Sequence, residues 1–121
     1  MAPSQTDAVD GLLPLPPATF HILLALNPGE CHGYAIIQDI ETRSEGALSV
    51  ETGTLYRALQ RLAEADLVRP TEARRASDRD DERRRFYSLT PAGRRAAADE
   101  ARRLASLVDA ARAARLIPGG T

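Results

Sequence analysis

Apolar residues recur at helical spacing in the first half of the chain, and each such segment ends at a turn signal. Phe20, Leu23 and Leu24 share one face of a helix predicted over residues 17–26, with Pro16-Pro17 opening it and Asn27-Pro28-Gly29 closing it. Ile36, Ile37 and Ile40 mark a second helix from about Gly33 to Arg43, broken by Ser44-Glu45-Gly46. Leu48 to Val50 reads as a short extended piece. Thr52 is then placed as the N-cap of a third helix from about Gly53 to Ala65. Val68 to Glu72 reads as extended, residues 74–83 as a charged turn, and Arg84 to Leu89 as a return strand. Thr90 caps a long last helix with Pro91 at its first position. That helix is predicted to reach Leu116, where Pro118-Gly119-Gly120 stops it.

This order predicts a fold that is mainly α with a small two-stranded β-wing. It is a winged helix-turn-helix DNA-binding domain over residues 15–90, followed by a long C-terminal dimerisation helix over 91–117. Residues 1–14 carry no period and are expected to be a disordered lead-in, and 118–121 a tail. The last helix is too long and too polar to belong wholly to so small a core. Ala97, Ala101, Leu104, Val108 and Ala111 recur at spacings of 4, 3, 4 and 3, a short heptad seam that points to a homodimer. Arg95 with Asp99, and Asp99 with Arg103, are expected to pair on its outer surface.

On a wheel at 100° per residue, the third helix divides in two. Leu55, Ala58, Leu59 and Leu62 cluster on one side; Arg57, Gln60, Arg61 and Glu64 occupy the other, with Tyr56 at the margin. Arginine can bridge guanine O6 and N7, and glutamine can bridge adenine N6 and N7. Thr52 and Thr54 sit at the N-terminal end, where backbone N–H groups favour a phosphate. An amphipathic surface helix also carries Arg and Gln simply as a solvated face, so the base-reading assignment leans on the hairpin that follows.

From Arg69 to Arg85 there are seven arginines against five acids, a net of +2. The acids concentrate at the turn, while Arg74, Arg75, Arg84 and Arg85 flank it and suit contact with a phosphate backbone. The cluster Asp78, Asp80, Asp81 and Glu82 lacks the glycine and trailing glutamate of a calcium loop, and is read as a solvated turn with no metal.

The bulk numbers narrow the class. No apolar run approaches the ~20 residues of a membrane span, and no basic patch precedes an apolar stretch at the N-terminus. The one cysteine, Cys31, cannot form an intrachain disulfide. A cytoplasmic protein fits. Cys31, His21 and His32 are read as a small loop thiol, a surface histidine and a helix-start histidine, not as a metal or redox sensor. No nucleophile–base–acid set and no glycine-rich phosphate loop is present, so neither an enzyme nor a cofactor is expected. All 16 basic residues are arginine, the side chain suited to bidentate contacts, although a GC-rich codon bias also produces that pattern. The net charge of −1 counts against DNA binding and leaves an alternative open, a winged-helix module that binds protein instead.

Three motifs in order carry a family resemblance: His32-Gly33-Tyr34; Gly53-Thr54-Leu55-Tyr56 with Leu59 and Leu62; and Tyr87-Ser88-Leu89-Thr90-Pro91-Ala92-Gly93. Over residues 17–95 the chain resembles the PadR family of bacterial transcriptional regulators, in a short form with one C-terminal helix. The resemblance implies a dimeric repressor of double-stranded DNA. The third helix would enter the major groove, Tyr34 and Tyr56 would lie near phosphates, and the last helix would pair two subunits. Arg57 stands where the family often has proline, and Asp66 where glycine commonly follows the third helix; aspartate tolerates the left-handed backbone such a turn needs. The resemblance also implies a small-molecule effector. However, the chain has no tryptophan and its five aromatics all precede the last helix, so an aromatic sandwich between paired last helices cannot be built.

Overall fold

The computed structural model describes residues 13–71 and 85–118. In chain order these form α1 (Pro17–Leu26), β1 (Cys31–His32), α2 (Gly33–Arg43), α3 (Thr52–Glu64), β2 (Val68–Thr71), β3 (Phe86–Leu89) and α4 (Pro91–Ala113). The architecture is the expected winged helix-turn-helix with a long last helix. The wing is larger by one strand: β1 pairs antiparallel with the free edge of β3, giving the order β1-β3-β2. Two residues are too few to show a period of two, so no strand is legible there from sequence. Cys31 therefore sits on a strand and not in a loop. The acidic cluster at 78–82 lies outside the described residues.

The core gathers Ile22, Leu23 and Leu26 from α1, Ile36 and Ile40 from α2, Leu55, Leu59 and Leu62 from α3, and Leu67, Val68, Tyr87, Leu89 and Ala96. The expected faces of α2 and α3 are the buried ones. In α1 the buried set is Ile22, Leu23, Ala25 and Leu26, while Phe20 and Leu24 are only half-buried. That helix packs against α2, β3 and α4, and its apolar residues surround it, so periodicity does not select a face. Residues 48–50 form no strand; the turn there is clamped by Ser44, whose Oγ accepts from the Leu48 amide at 3.0 Å.

Three helices end in the same way. Glu45, Asp66 and Arg115 have φ of 56°, 65° and 63°, and the next residue's amide reaches back: Gly46 to Glu41 O, Leu67 to Leu62 O, and Leu116 to Ala111 O, each at 2.9 Å. This is the Schellman stop. It ends α4 at Ala113, before Leu116 and ahead of the proline expected to do so.

The start of α4 is tied to the end of α3. Thr90, 1% exposed, accepts from the Gly93 amide at 2.9 Å and donates through Oγ1 to Asp66 O at 2.6 Å. Its own amide donates to Leu67 O at 3.1 Å. Pro91 needs no donor at the first helical position. A Cβ on Gly93 would overlap the Leu67 carbonyl oxygen and lie 3.0 Å from the carbonyl carbon.

Further along α4, Glu100 is 2% exposed. Its carboxylate accepts from Arg103 Nε at 2.9 Å and Nη2 at 2.6 Å, and from the Leu15 amide at 3.3 Å, so it anchors the segment before α1. The hydrogen bonds from Arg103 hold this carboxyl below the ordinary glutamate range; burial opposes them, and the Leu15 amide and the arginine charge add to the lowering. The expected Asp99–Arg103 pair is replaced: Arg103 bonds Glu100, and Asp99 pairs with Arg102. Spacings of three place these partners as well as four does.

Two outcomes follow. Gly93→Ala should lower unfolding stability by at least about 2 kcal/mol, because the clash is with backbone that no rotamer relieves; a denaturant titration with an unchanged midpoint would contradict it. Because its pKa is depressed in the fold, Glu100 contributes stability above the unfolded glutamate value, about 4.3, and loses it as pH falls through the lower folded value. At fixed protein concentration, the stability gap between wild type and Glu100→Gln should be widest above about pH 5 and close at lower pH. A gap that ignores pH would refute this role.

Candidate nucleic-acid interface

The apolar side of α3 is sunk in the core, and that fixes what the other side presents. With Leu55 and Leu59 fully buried, Thr52, Thr54, Arg57, Gln60 and Arg61 are all exposed to solvent. The expected cap is displaced by one residue. Glu51, at φ −75° and ψ 154°, is the N-cap, and its carbonyl accepts the first helical bond from Leu55 at 2.9 Å. Thr52 is thus the first residue of the helix, with its side chain outside the capping geometry.

Tyr34 and Tyr56, the tyrosines expected near phosphates, differ in setting. Tyr34, on the first turn of α2, is 63% exposed. Tyr56 is half-buried and lies against Gly33: a Cβ there would overlap its hydroxyl and come within 2.7 Å of Cζ. Glycine at 33 is therefore the seat that lets Tyr56 lie over the start of α2. The Tyr56 ring also faces Tyr87 at 6.5 Å. His32 caps α2, accepting from the Ala35 amide at 3.2 Å through Nδ1, with its ring edge-on to Phe86 at 5.5 Å. The helix-start reading of His32 holds. His21, read as a surface residue, is half-buried, with a buried Nδ1 that has no hydrogen-bond partner among the described residues.

At the base of the wing, Arg85 is exposed and close to the Tyr87 phenol. Burial raises that phenol above the ordinary tyrosine range, and Arg85 pulls it the other way. Arg74, Arg75 and Arg84 lie outside the described residues. Across the sheet, Thr71 donates to Glu30 Oε1 at 2.7 Å, tying the wing to the α1–β1 loop. Burial, and then the Asp39 charge, raises the Cys31 thiol, which keeps it in its unreactive protonated form. Among the described residues no group of three His, Cys, Asp or Glu is placed to hold a metal, and no helix is long and apolar enough to cross a membrane.

The seam residues of α4 sit at graded depth. Ala97 packs against the core, Leu104 and Ala111 are half-buried, and Ala101 is exposed. Val108 is 40% exposed, and Leu107, which the heptad spacing passed over, is 55% exposed. At 100° per residue, Gly93, Ala96, Glu100, Leu104, Leu107 and Ala111 share one face. The face that is buried on the core in the first half of α4 thus continues as Leu104, Leu107 and Ala111, of which Leu107 is exposed among the described residues.

Known proteins share this fold. The fold matches a PadR family transcription regulator from Clostridium difficile, with a TM-score of 0.66 at 21% identity over 80% of this chain and 96% of that one. A PadR-like transcription factor from Bacteroides fragilis matches at a TM-score of 0.63 and 26% identity, over 78% and 85%. Bacillus subtilis PadR, in a structure with operator DNA, matches at a TM-score of 0.60 and 20% identity over 69% of this chain and 46% of that one. By sequence, the chain is 43% identical over 86 residues to an uncharacterized 37.1 kDa transposon protein of Streptomyces fradiae; the match takes in 71% of this chain but spans only 22% of that relative. The model of the transcriptional regulator PadR-like family matches residues 22–99, and the chain belongs to that family.

Proposed function

We propose that this protein is a sequence-specific DNA-binding repressor that acts in the cytoplasm as a homodimer on a pseudo-palindromic operator. The division of α3 carries this reading: a leucine face wholly inside the core, and an exposed row of Thr54, Arg57, Gln60 and Arg61 free to enter a major groove. Arg57, Gln60 and Arg61 are assigned to base edges. Tyr34, Thr52, Thr54, Tyr56 and Arg85 are assigned to phosphates, joined from the wing by Arg74, Arg75 and Arg84. The operator complex of Bacillus subtilis PadR supports the assignment by likeness of fold.

The homodimer reading rests on the second half of α4. Its Leu104, Leu107, Val108 and Ala111 form an apolar stripe on which Leu107 and Val108 are exposed among the described residues, and a second copy of the helix covers it most simply. Ala97 and Ala101 extend the seam toward the winged domain.

Binding to a fragment of the protein's own promoter should weaken steeply with salt, with a log–log slope of about −0.9 per neutralised phosphate. Arg85→Ala should reduce that slope by about one and weaken all sequences alike. A salt-independent isotherm, or no binding at low salt, would sink the reading. Paired Leu107→Asp and Val108→Asp changes should give a folded monomer by sedimentation and circular dichroism, with operator affinity lower by roughly 100-fold or more as bivalency is lost. A wild-type monomer at micromolar concentration would overturn the dimer.

A further inference from the structure

Within the exposed row of α3, one arginine is held and its holder is visible. Thr54 and Arg57 are three residues apart on one face, and Arg57 Nη2 donates a long hydrogen bond, 3.4 Å, to Thr54 Oγ1. The guanidinium folds back toward the N-terminal end of the helix, where Nη1 lies 3.6 Å from the place a Cβ on Gly53 would take. Both side chains are exposed, so this posture is set locally and not by burial.

Resting on the DNA-binding reading above, we infer that Arg57 sets a guanine preference at one position of each half-site, and that Thr54 is its positioning residue. In helix-turn-helix docking the N-terminal residues of the recognition helix meet base edges, and Arg57 is turned toward that end. One N–H is spent on Thr54. The fork has four more, enough to bridge guanine O6 and N7. A free arginine side chain loses rotamer entropy on binding, and part of that loss has already been taken here before DNA arrives. The Thr54 hydroxyl accepts from Arg57 and keeps its own proton to donate to a phosphate, which ties base reading to backbone registration.

The test is selection of bound sites from random duplex DNA by the full chain, followed by affinities on the selected site and on single-base variants. Wild type should select a fixed guanine in each half-site. Arg57→Lys keeps the charge and the salt slope but lacks the planar fork, so it should lose roughly 5- to 150-fold of discrimination at that one position. Thr54→Val should lower the same discrimination by roughly two- to fivefold, the worth of one exposed hydrogen bond, and Thr54→Ser should restore it. Equal weakening on every sequence by Arg57→Lys would make Arg57 a phosphate contact and overturn the inference. So would a Thr54→Val protein with unchanged base preference. A wild type that binds no DNA at low salt fails earlier, at the DNA-binding reading itself.

Discussion

The winged domain and the long helix are joined at a four-residue contact, Asp66 and Leu67 against Thr90 and Gly93. Thr90 does three things there: it caps α4 through the Gly93 amide, closes the end of α3 through Asp66 O, and gives its own amide to Leu67 O. Gly93 is the only residue type that admits the Leu67 carbonyl so closely. A Thr-Pro-x-Gly sequence is usually read as a helix start. Here it is also a joint, and the left-handed Asp66 turns the chain into it. Any account of how the last helix is aimed relative to the exposed row on α3 passes through these residues.

The second constraint runs between motifs far apart in sequence. Gly33 is small so that Tyr56 can lie across the start of α2, and His32 before it caps that helix. The His-Gly-Tyr and Gly-Thr-Leu-Tyr motifs are therefore two halves of one packing contact that sets α3 on α2. The leucines of α3 then determine which residues face out. The chemistry of the exposed row is thus free to vary, since nothing in the core depends on Arg57, Gln60 or Arg61. A family can hold its fold fixed and change what it reads in this way.

Most of the fold was legible in the sequence because its determinants are local. Isoleucines at i and i+4 mark α2, leucines at i, i+4 and i+7 mark α3, and Thr-Pro marks the start of α4. What was not legible depends on partners remote in sequence. Ile22 and Leu26 are core because three elements surround α1, not because of a period. Cys31–His32 becomes a strand only because β3 offers an open edge. Glu100 reads as one more surface acid of a polar helix, yet it is buried because the Leu15 amide and Arg103 both satisfy it. In the candidate site, exposure of the α3 row followed from the wheel, whereas the hydrogen bond joining Thr54 to Arg57 and the seat of Tyr56 on Gly33 required coordinates. Thr52 was misplaced by one residue since Thr is a better cap than Glu in general, and here the backbone of Glu51 alone takes that position.

The buried Glu100 also bears on where the dimer stripe begins. An acid at a core position of α4 is tolerated while the segment before α1 covers it and Arg103 neutralises it. One turn later the same face changes to Leu104, Leu107 and Ala111, with Leu107 exposed among the described residues. The face of α4 is therefore specified twice, first by intramolecular polar partners and then by apolar residues that are less covered among the described residues. On the proposed reading, that change marks the boundary between what one subunit stabilises and what a second must. Because the boundary and the Thr90–Gly93 joint lie on one continuous helix, pairing two such helices, as proposed, would set the separation of two α3 rows. Recognition of half-sites one helical turn apart, about 34–36 Å, asks for a set separation.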